Sequence, residues 1–211
     1  MNLIIRNKHK NEYREVEELT REAFWNLYVP GCNEHFVLHN MRGSKDFIRH
    51  LDFVAELDGK IIGNIVYTRG NVINSEGKPY EVLSFGPVSV LPAYQRQGAG
   101  SALIKYSLDK AASMGFTAVL IYGDPRYYSR FGFRCAEKYS ITTSEGKFAV
   151  ALLALELIQG SLWEVQGRFV ESEVYRVDEE SFQQYESTFP PKEKEVTESQ
   201  AEFKILSSLV Y

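Results

Sequence analysis

A chain of 211 residues with 44% hydrophobic and 13% aromatic residues can bury one sizeable core and has the composition of an ordinary globular protein. Its formal net charge of −4 argues against broad binding to nucleic acid or an anionic membrane. No apolar run approaches the roughly 20 residues that span a bilayer, and the first residues alternate in polarity where a signal peptide would be apolar, so a soluble, cytoplasmic protein is expected.

Taken in order, Asn2 to Arg6 reads as a first strand. From Tyr13, the apolar residues Val16, Leu19, Ala23, Phe24 and Leu27 recur at helical spacing, and Pro30-Gly31 stops that helix. A second helix is expected from Asn33 to Met41. Leu51 to Leu57 alternates as a strand, and Asp58-Gly59 is a two-residue hairpin signal leading into Ile61 to Tyr67. A polar turn at 74–79 precedes a strand from Tyr80 to Val90. A helix from Gly98 to Ala112 closes at Gly115, a C-cap. Thr117 to Tyr122 is a nearly continuous apolar run, expected to be buried on both faces and parallel to the strand before the helix. Gly123-Asp124-Pro125 starts a short helix over Arg126 to Phe131. Lys147 to Leu157 reads as a strand. Weaker signals suggest a strand over 167–177, a helix over 179–187 and an amphipathic helix over 197–209, with 190–195 as a solvated connector. Cys32 and Cys135 are far apart in sequence and are expected to be reduced thiols.

The chemistry concentrates where the strand ending in Val88-Ser89-Val90-Leu91-Pro92 passes through Gln95-Arg96-Gln97-Gly98-Ala99-Gly100 into a helix. Such a turn aims unpaired N–H groups and the positive end of a helix dipole at one point, which suits a pyrophosphate. A dinucleotide fingerprint fails because Leu103 stands where the third glycine belongs. A P-loop fails because no Gly-Lys-Ser/Thr follows.

These motifs, with Tyr127-Tyr128-Ser129-Arg130-Phe131-Gly132-Phe133, resemble those of the GCN5-related N-acetyltransferase (GNAT) superfamily. The wording is similar to that of bacterial acetyltransferases of undefined substrate. The likeness covers roughly residues 1–157 and leaves 158–211 as an extension packed on the same domain. It implies a mixed α/β sheet, the acyl-CoA N-acyltransferase fold, with that stretch as a C-terminal elaboration. It also implies transfer of an acetyl group from acetyl-CoA to a primary amine of a small molecule or peptide, by direct attack in a ternary complex. The alternative is a non-catalytic acyl-CoA-binding module. No metal, nucleic acid or membrane is expected to take part, and the chain would be a monomer or homodimer.

The resemblance also assigns residues. Backbone groups of Val88, Ser89 and Val90 would meet the pantetheine arm and acetyl carbonyl. The turn Gln95, Arg96, Gln97, Gly98, Ala99, Gly100 and Ser101 would hold the pyrophosphate, with Tyr128 and Arg130 also against the coenzyme. Tyr128, four residues before Gly132, would protonate the leaving thiolate, while Tyr127 packs the core. Many relatives carry a glutamate where this chain has Ser84, so Glu81 and Glu34 become base candidates. Tyr28, Glu34, His35 and His39 are candidate acceptor contacts. His35 and His39 with Cys32 or Glu34 could form a metal site, but a second set of ligands is missing.

Overall fold

The computed structural model describes residues 3–211. Asn2, the first residue of the expected opening strand, lies outside them. One sheet organises the chain. Its central strands are β1 (Leu3–Asn7), β2 (Phe47–Leu57), β3 (Lys60–Ile73), β4 (Pro79–Phe85) and β6 (Ala118–Tyr122), followed by β9 (Leu152–Glu156) and β7 (Arg134–Cys135), in the order β1-β2-β3-β4-β6-β9-β7. The short β5 (Ser89–Val90) and β10 (Gly167–Val170) pair with β3, and β8 (Ile141–Thr142) pairs with β10. The helices are α1 (Tyr13–Phe24), α2 (Glu34–Met41), α3 (Ala99–Ser113), α4 (Pro125–Tyr128), α5 (Glu179–Glu186) and α6 (Glu198–Ser208).

Alternation along the strands divides the core between the two faces of the sheet. On β6, Val119 and Ile121 join Leu103, Ile104, Leu108 and Ala111 of α3, while Ala118 and Leu120 point the other way, to Val82, Leu152, Ala154 and Phe169. A third cluster packs Val16 and Leu19 of α1 and Val37, Leu38 and Met41 of α2 against Val54, Ile61 and Val66. α1 and α3 are placed by the apolar stripes their spacing predicts.

The expected strand over 80–90 is interrupted. β4 stops at Phe85, the Gly86 N–H still reaches Val66 O at 3.0 Å, and after Pro87 the chain pairs with β3 again at Ser89–Val90, opposite Asn64 and Gly63. β4 meets β6 in parallel at one register pair, Leu83 with Val119, so the two strands diverge towards Phe85 and Tyr122. α1 ends at Phe24, short of Leu27, because Trp25 turns to ψ 122° and Asn26 takes φ 59°. The Asn26 side chain holds that turn by accepting the Gly31 N–H at 2.8 Å. Residues 147–151 are not a strand: Phe148 exchanges hydrogen bonds with Tyr211 (2.9 and 3.0 Å), and Val150 donates to Leu209 O (3.0 Å). The strand expected over 167–177 is only four residues long, because the chain turns into a 3-10 helix at Glu173–Tyr175. Among the described residues no helix is long and apolar enough to cross a membrane.

A candidate active site between two pockets

The turn before α3 departs from ordinary backbone twice. Arg96 has φ 60° and Gly98 φ 94°, a left-handed conformation that a side chain at the second position would strain. The first helical bond runs from Ala102 N–H to Gly98 O at 2.9 Å. The N–H groups of residues 96–101 meet no backbone carbonyl among the described residues. Unpaired donors at the start of a fifteen-residue helix form an anion cradle. They open on a pocket of about 510 Å³ lined by Val90, Tyr94, Gln95, Arg96, Gly98, Gly100, Ser101, Tyr127 and Arg130. Two guanidinium groups add positive charge, and Arg130 stacks 4.8 Å above the Tyr127 ring.

Not every residue expected against the coenzyme lines this pocket. Ala99 is buried, and the Ser89 hydroxyl is turned away to Thr20 at 2.9 Å. The side-chain amides of Gln95 and Gln97 donate to Val90 O and Ala93 O, both at 3.0 Å, so they brace the turn. Val88 packs against the core between the two strand segments. Tyr94 and Tyr127 line the pocket and were not foreseen there. Tyr127 has a core contact and a pocket contact at once, its hydroxyl reaching within 3.5 Å of where a Cβ on Gly100 would stand.

Tyr128 sits behind Tyr127, perpendicular to it with ring centroids 5.0 Å apart, and is packed by Phe85 and Phe133 at 5.9 and 5.7 Å. Its ring lies on Gly123, where a side chain would come within 2.5 Å of it. Only a residue without Cβ admits the phenol to this place. Burial pushes the phenol above its usual range, so it keeps its proton at neutral pH.

Gly123, against the Tyr128 ring, also lines a second pocket of about 530 Å³. Its walls are Leu27 and Tyr28 from the turn after α1, Tyr122 to Asp124 from the end of β6, Arg126, Thr143, Ala149, Ala151 and the inner side of α6 with Val210. The hydroxyls of Thr197 and Ser199 bond to Asn26 O and Leu27 O at 2.9 and 2.7 Å, which anchors α6 beside the α1 turn.

The four expected acceptor contacts separate. Tyr28 lines the second pocket, its ring 4.5 Å from that of Phe203. Glu34, partly exposed at the start of α2, accepts the Asn33 N–H at 3.1 Å, and burial raises its carboxyl to about 7. Its charge, with that of Asp124, also raises the Tyr28 phenol. His35 is fully buried: Nε2 lies 2.8 Å from Glu186, which also takes Arg21 at 2.5 Å, and Nδ1 lies 3.6 Å from the Cys32 thiol. Burial lowers this ring to about 4, so it is neutral and joins α1, α2 and α5. His39, one turn on, faces outward between Glu17 (3.0 Å) and the Tyr185 ring. Neither histidine lines the second pocket. Among the described residues no group of three or more His, Cys, Asp or Glu side chains could hold a metal ion.

Glu81 lies near the far end of β4, exposed and 3.3 Å from Arg69, away from the divergence. Two further residues flank the site. Glu171, just after β10, is raised to about 7 by burial, and burial, with the Glu171 charge as a lesser cause, also raises Tyr122 and Tyr175. The Tyr175 hydroxyl contacts Thr68 at 3.3 Å and Gly86 O at 3.5 Å. Both residues come from 158–211, where no local motif marks them.

With this geometry in hand, comparison with known proteins is informative. The family model for the acetyltransferase (GNAT) family matches residues 15–133. A protein of Escherichia coli K12 named uncharacterized N-acetyltransferase YhbS is 30% identical over 129 residues, spanning 59% of this chain and 74% of its own. The crystal structure of YhbS in complex with CoA superposes with a TM-score of 0.72 at 25% identity, covering 82% of this chain and 91% of that one. A GNAT family acetyltransferase from Brucella melitensis in complex with acetyl-CoA gives 0.68 at 25% identity, covering 83% and 99%.

Proposed function

The chain belongs to the acetyltransferase (GNAT) family and is an N-acetyltransferase, and we propose that it moves acetyl from acetyl-CoA to a primary amine by direct attack within a ternary complex. The Tyr127–Tyr128 pair carries this reading, because it stands between a pocket built for an anion and a pocket built for something else. The similar proteins from E. coli and Brucella were crystallised with CoA and acetyl-CoA, which supports a coenzyme in the first pocket. The residues present fit that group: unpaired amides and two arginines suit its phosphates, and the divergence of β4 from β6 opens a slot for its arm.

Acetyl-CoA supplies an activated acyl group and a thiolate leaving group. The amides of the 96–101 turn, with Arg96 and Arg130, hold the phosphates. Backbone N–H groups near Val88 and Val90, where the ladder is interrupted, would receive the negative charge that develops on the acyl oxygen. Tyr128 donates its proton to the departing sulfur. Glu34 takes the proton of the incoming ammonium, since a carboxyl near 7 exchanges protons close to neutral pH. Burial holds the Cys32 thiol protonated beneath His35, which disfavours a covalent acetyl-cysteine step. Residues 158–211 complete the same folding unit as 1–157, supplying β10, α5 and α6.

Release of coenzyme A thiol, followed across a panel of amines, tests the proposal. Amine-dependent release without an acetyl adduct on the chain is expected. A stoichiometric acetyl-enzyme formed with acetyl-CoA alone would overturn direct attack.

A further inference from the structure

Resting on the transfer reading above, we propose that the acceptor is a monoamine on an apolar body, an arylalkylamine or alkylamine, seated in the groove between α6 and the end of β6. The groove, at about 530 Å³, has the size of a small-molecule site. Its walls are dominated by Leu27, Tyr28, Tyr122, Phe203, Leu206 and Val210. Four of these are large apolar or aromatic side chains left substantially exposed, Tyr122 at 45%, Val210 at 41%, Phe203 at 39% and Tyr28 at 38%. Large apolar groups gathered in one concave place, rather than scattered, mark a surface that something apolar covers.

Charge selects the other end of the occupant. Arg126 is the one cation among the lining residues, and it is spent on Asp124 (2.8 Å) and Glu202 (3.4 Å), both also in the lining. An acceptor bearing a carboxylate would find no free cation there. Two carboxylates, Asp124 and Glu202, stand in the lining against the single Arg126 guanidinium. These charged groups form one cluster, which favours an ammonium group there, while a second ammonium set among the apolar side chains would lose its hydration. An amino acid brings the wrong charge. The groove reaches Gly123, on which the Tyr128 ring rests, so an ammonium at that end lies next to the proton donor.

The test uses the full chain at saturating acetyl-CoA, with phenethylamine, tryptamine, hexylamine, spermidine, lysine and glycinamide as probes, and reads thiol release. At least tenfold higher kcat/KM for the first three than for the last three is expected. Phe203→Ala should raise KM for phenethylamine about tenfold, and Ser207→Trp, which fills the groove, should abolish its turnover, with CoA affinity by calorimetry unchanged in both. Release fastest with spermidine or lysine, or a folded Phe203→Ala variant with unaltered KM, overturns the proposal and leaves the transfer reading standing. Coenzyme binding without release for any amine overturns both.

Discussion

The two sides of the Tyr127–Tyr128 pair are built by different means. The anion pocket is backbone: a strand, a left-handed turn and a helix start that lie within residues 90–101, closed by Tyr127 and Arg130. The groove is side chain, assembled from residues as distant as Leu27 and Val210. A backbone site leaves a mark in sequence, because only certain residues permit its dihedrals. A side-chain site assembled from remote segments leaves none, since each contributor reads locally as an ordinary apolar residue.

Substitutions can break or sharpen that contrast. The largest effect belongs to the residue between the two sides: Tyr128→Phe should lower kcat by about 10²- to 10⁴-fold with every amine while leaving KM for acetyl-CoA within a few fold, measured by thiol release. Next is Arg21→Ala, which removes the cation from the partly buried Glu186 carboxylate at the junction of α1, α2 and α5. It should lower stability by about 3–5 kcal/mol in denaturant unfolding, and so disturb the groove side before the anion side.

Glu34→Gln should reduce the rate at pH 8 by about 10²-fold. With the amine held at fixed ammonium concentration, the native rate should rise with pH through about 7 and then level, and the variant should lose that rise. Glu171→Gln should keep it; the opposite pattern would move the base to the strand-β10 side. The linkage sign follows from the same shift. A carboxyl raised on folding binds more protons in the native than in the unfolded state, so Glu34 erodes stability as pH climbs from its unfolded value towards about 7. Glu34→Gln should flatten the stability profile over that window.

On the anion side alone, Gly98→Val places a branched residue at φ 94° and costs about 1–3 kcal/mol of local strain, read as weaker CoA binding in calorimetry with unchanged amine selectivity. The smallest effect is at the rim of the groove. Arg126→Ala removes exposed ion pairs and should leave stability essentially unchanged, while lowering KM for cationic acceptors slightly as Asp124 and Glu202 lose their counter-charge.

Much of the fold was legible because local chemistry and tertiary packing agree. Asp58-Gly59 takes φ 50° and 84°, as its hairpin demands, and Pro125 begins α4 with Asp124 capping it through the Arg126 N–H. Gly98 and Gly115 bound α3 on either side. The misses share one cause, which is partners far away in sequence. His35 and His39 look alike on one helix, yet Glu186, 151 residues on, buries the first in a hydrogen-bond network and leaves the second outside. The connector at 190–195 reads as solvated and is largely exposed, but Trp25 Nε1 donates to Glu193 O at 2.7 Å and Lys192 pairs with Glu22 at 2.6 Å, pinning it to α1. Tyr127 reads as core beside Phe131 and is core, but the turn opposite makes it a pocket wall as well.

The pairing of Phe148 with Tyr211 sets how the groove behaves in time. None of the residues of α6 is buried, and the helix hangs between its side-chain bonds to the α1 turn and three backbone bonds at 148–150. Hydrogen bonds of this kind contribute roughly 1 kcal/mol each, so this wall detaches at a small fraction of the free energy that unfolds the sheet. Amide exchange at residues 148, 150 and 211 should therefore run orders of magnitude faster than in β3 and slow on adding an acceptor. The chain would then choose its amine with its least stable part and hold its coenzyme with one of its most stable.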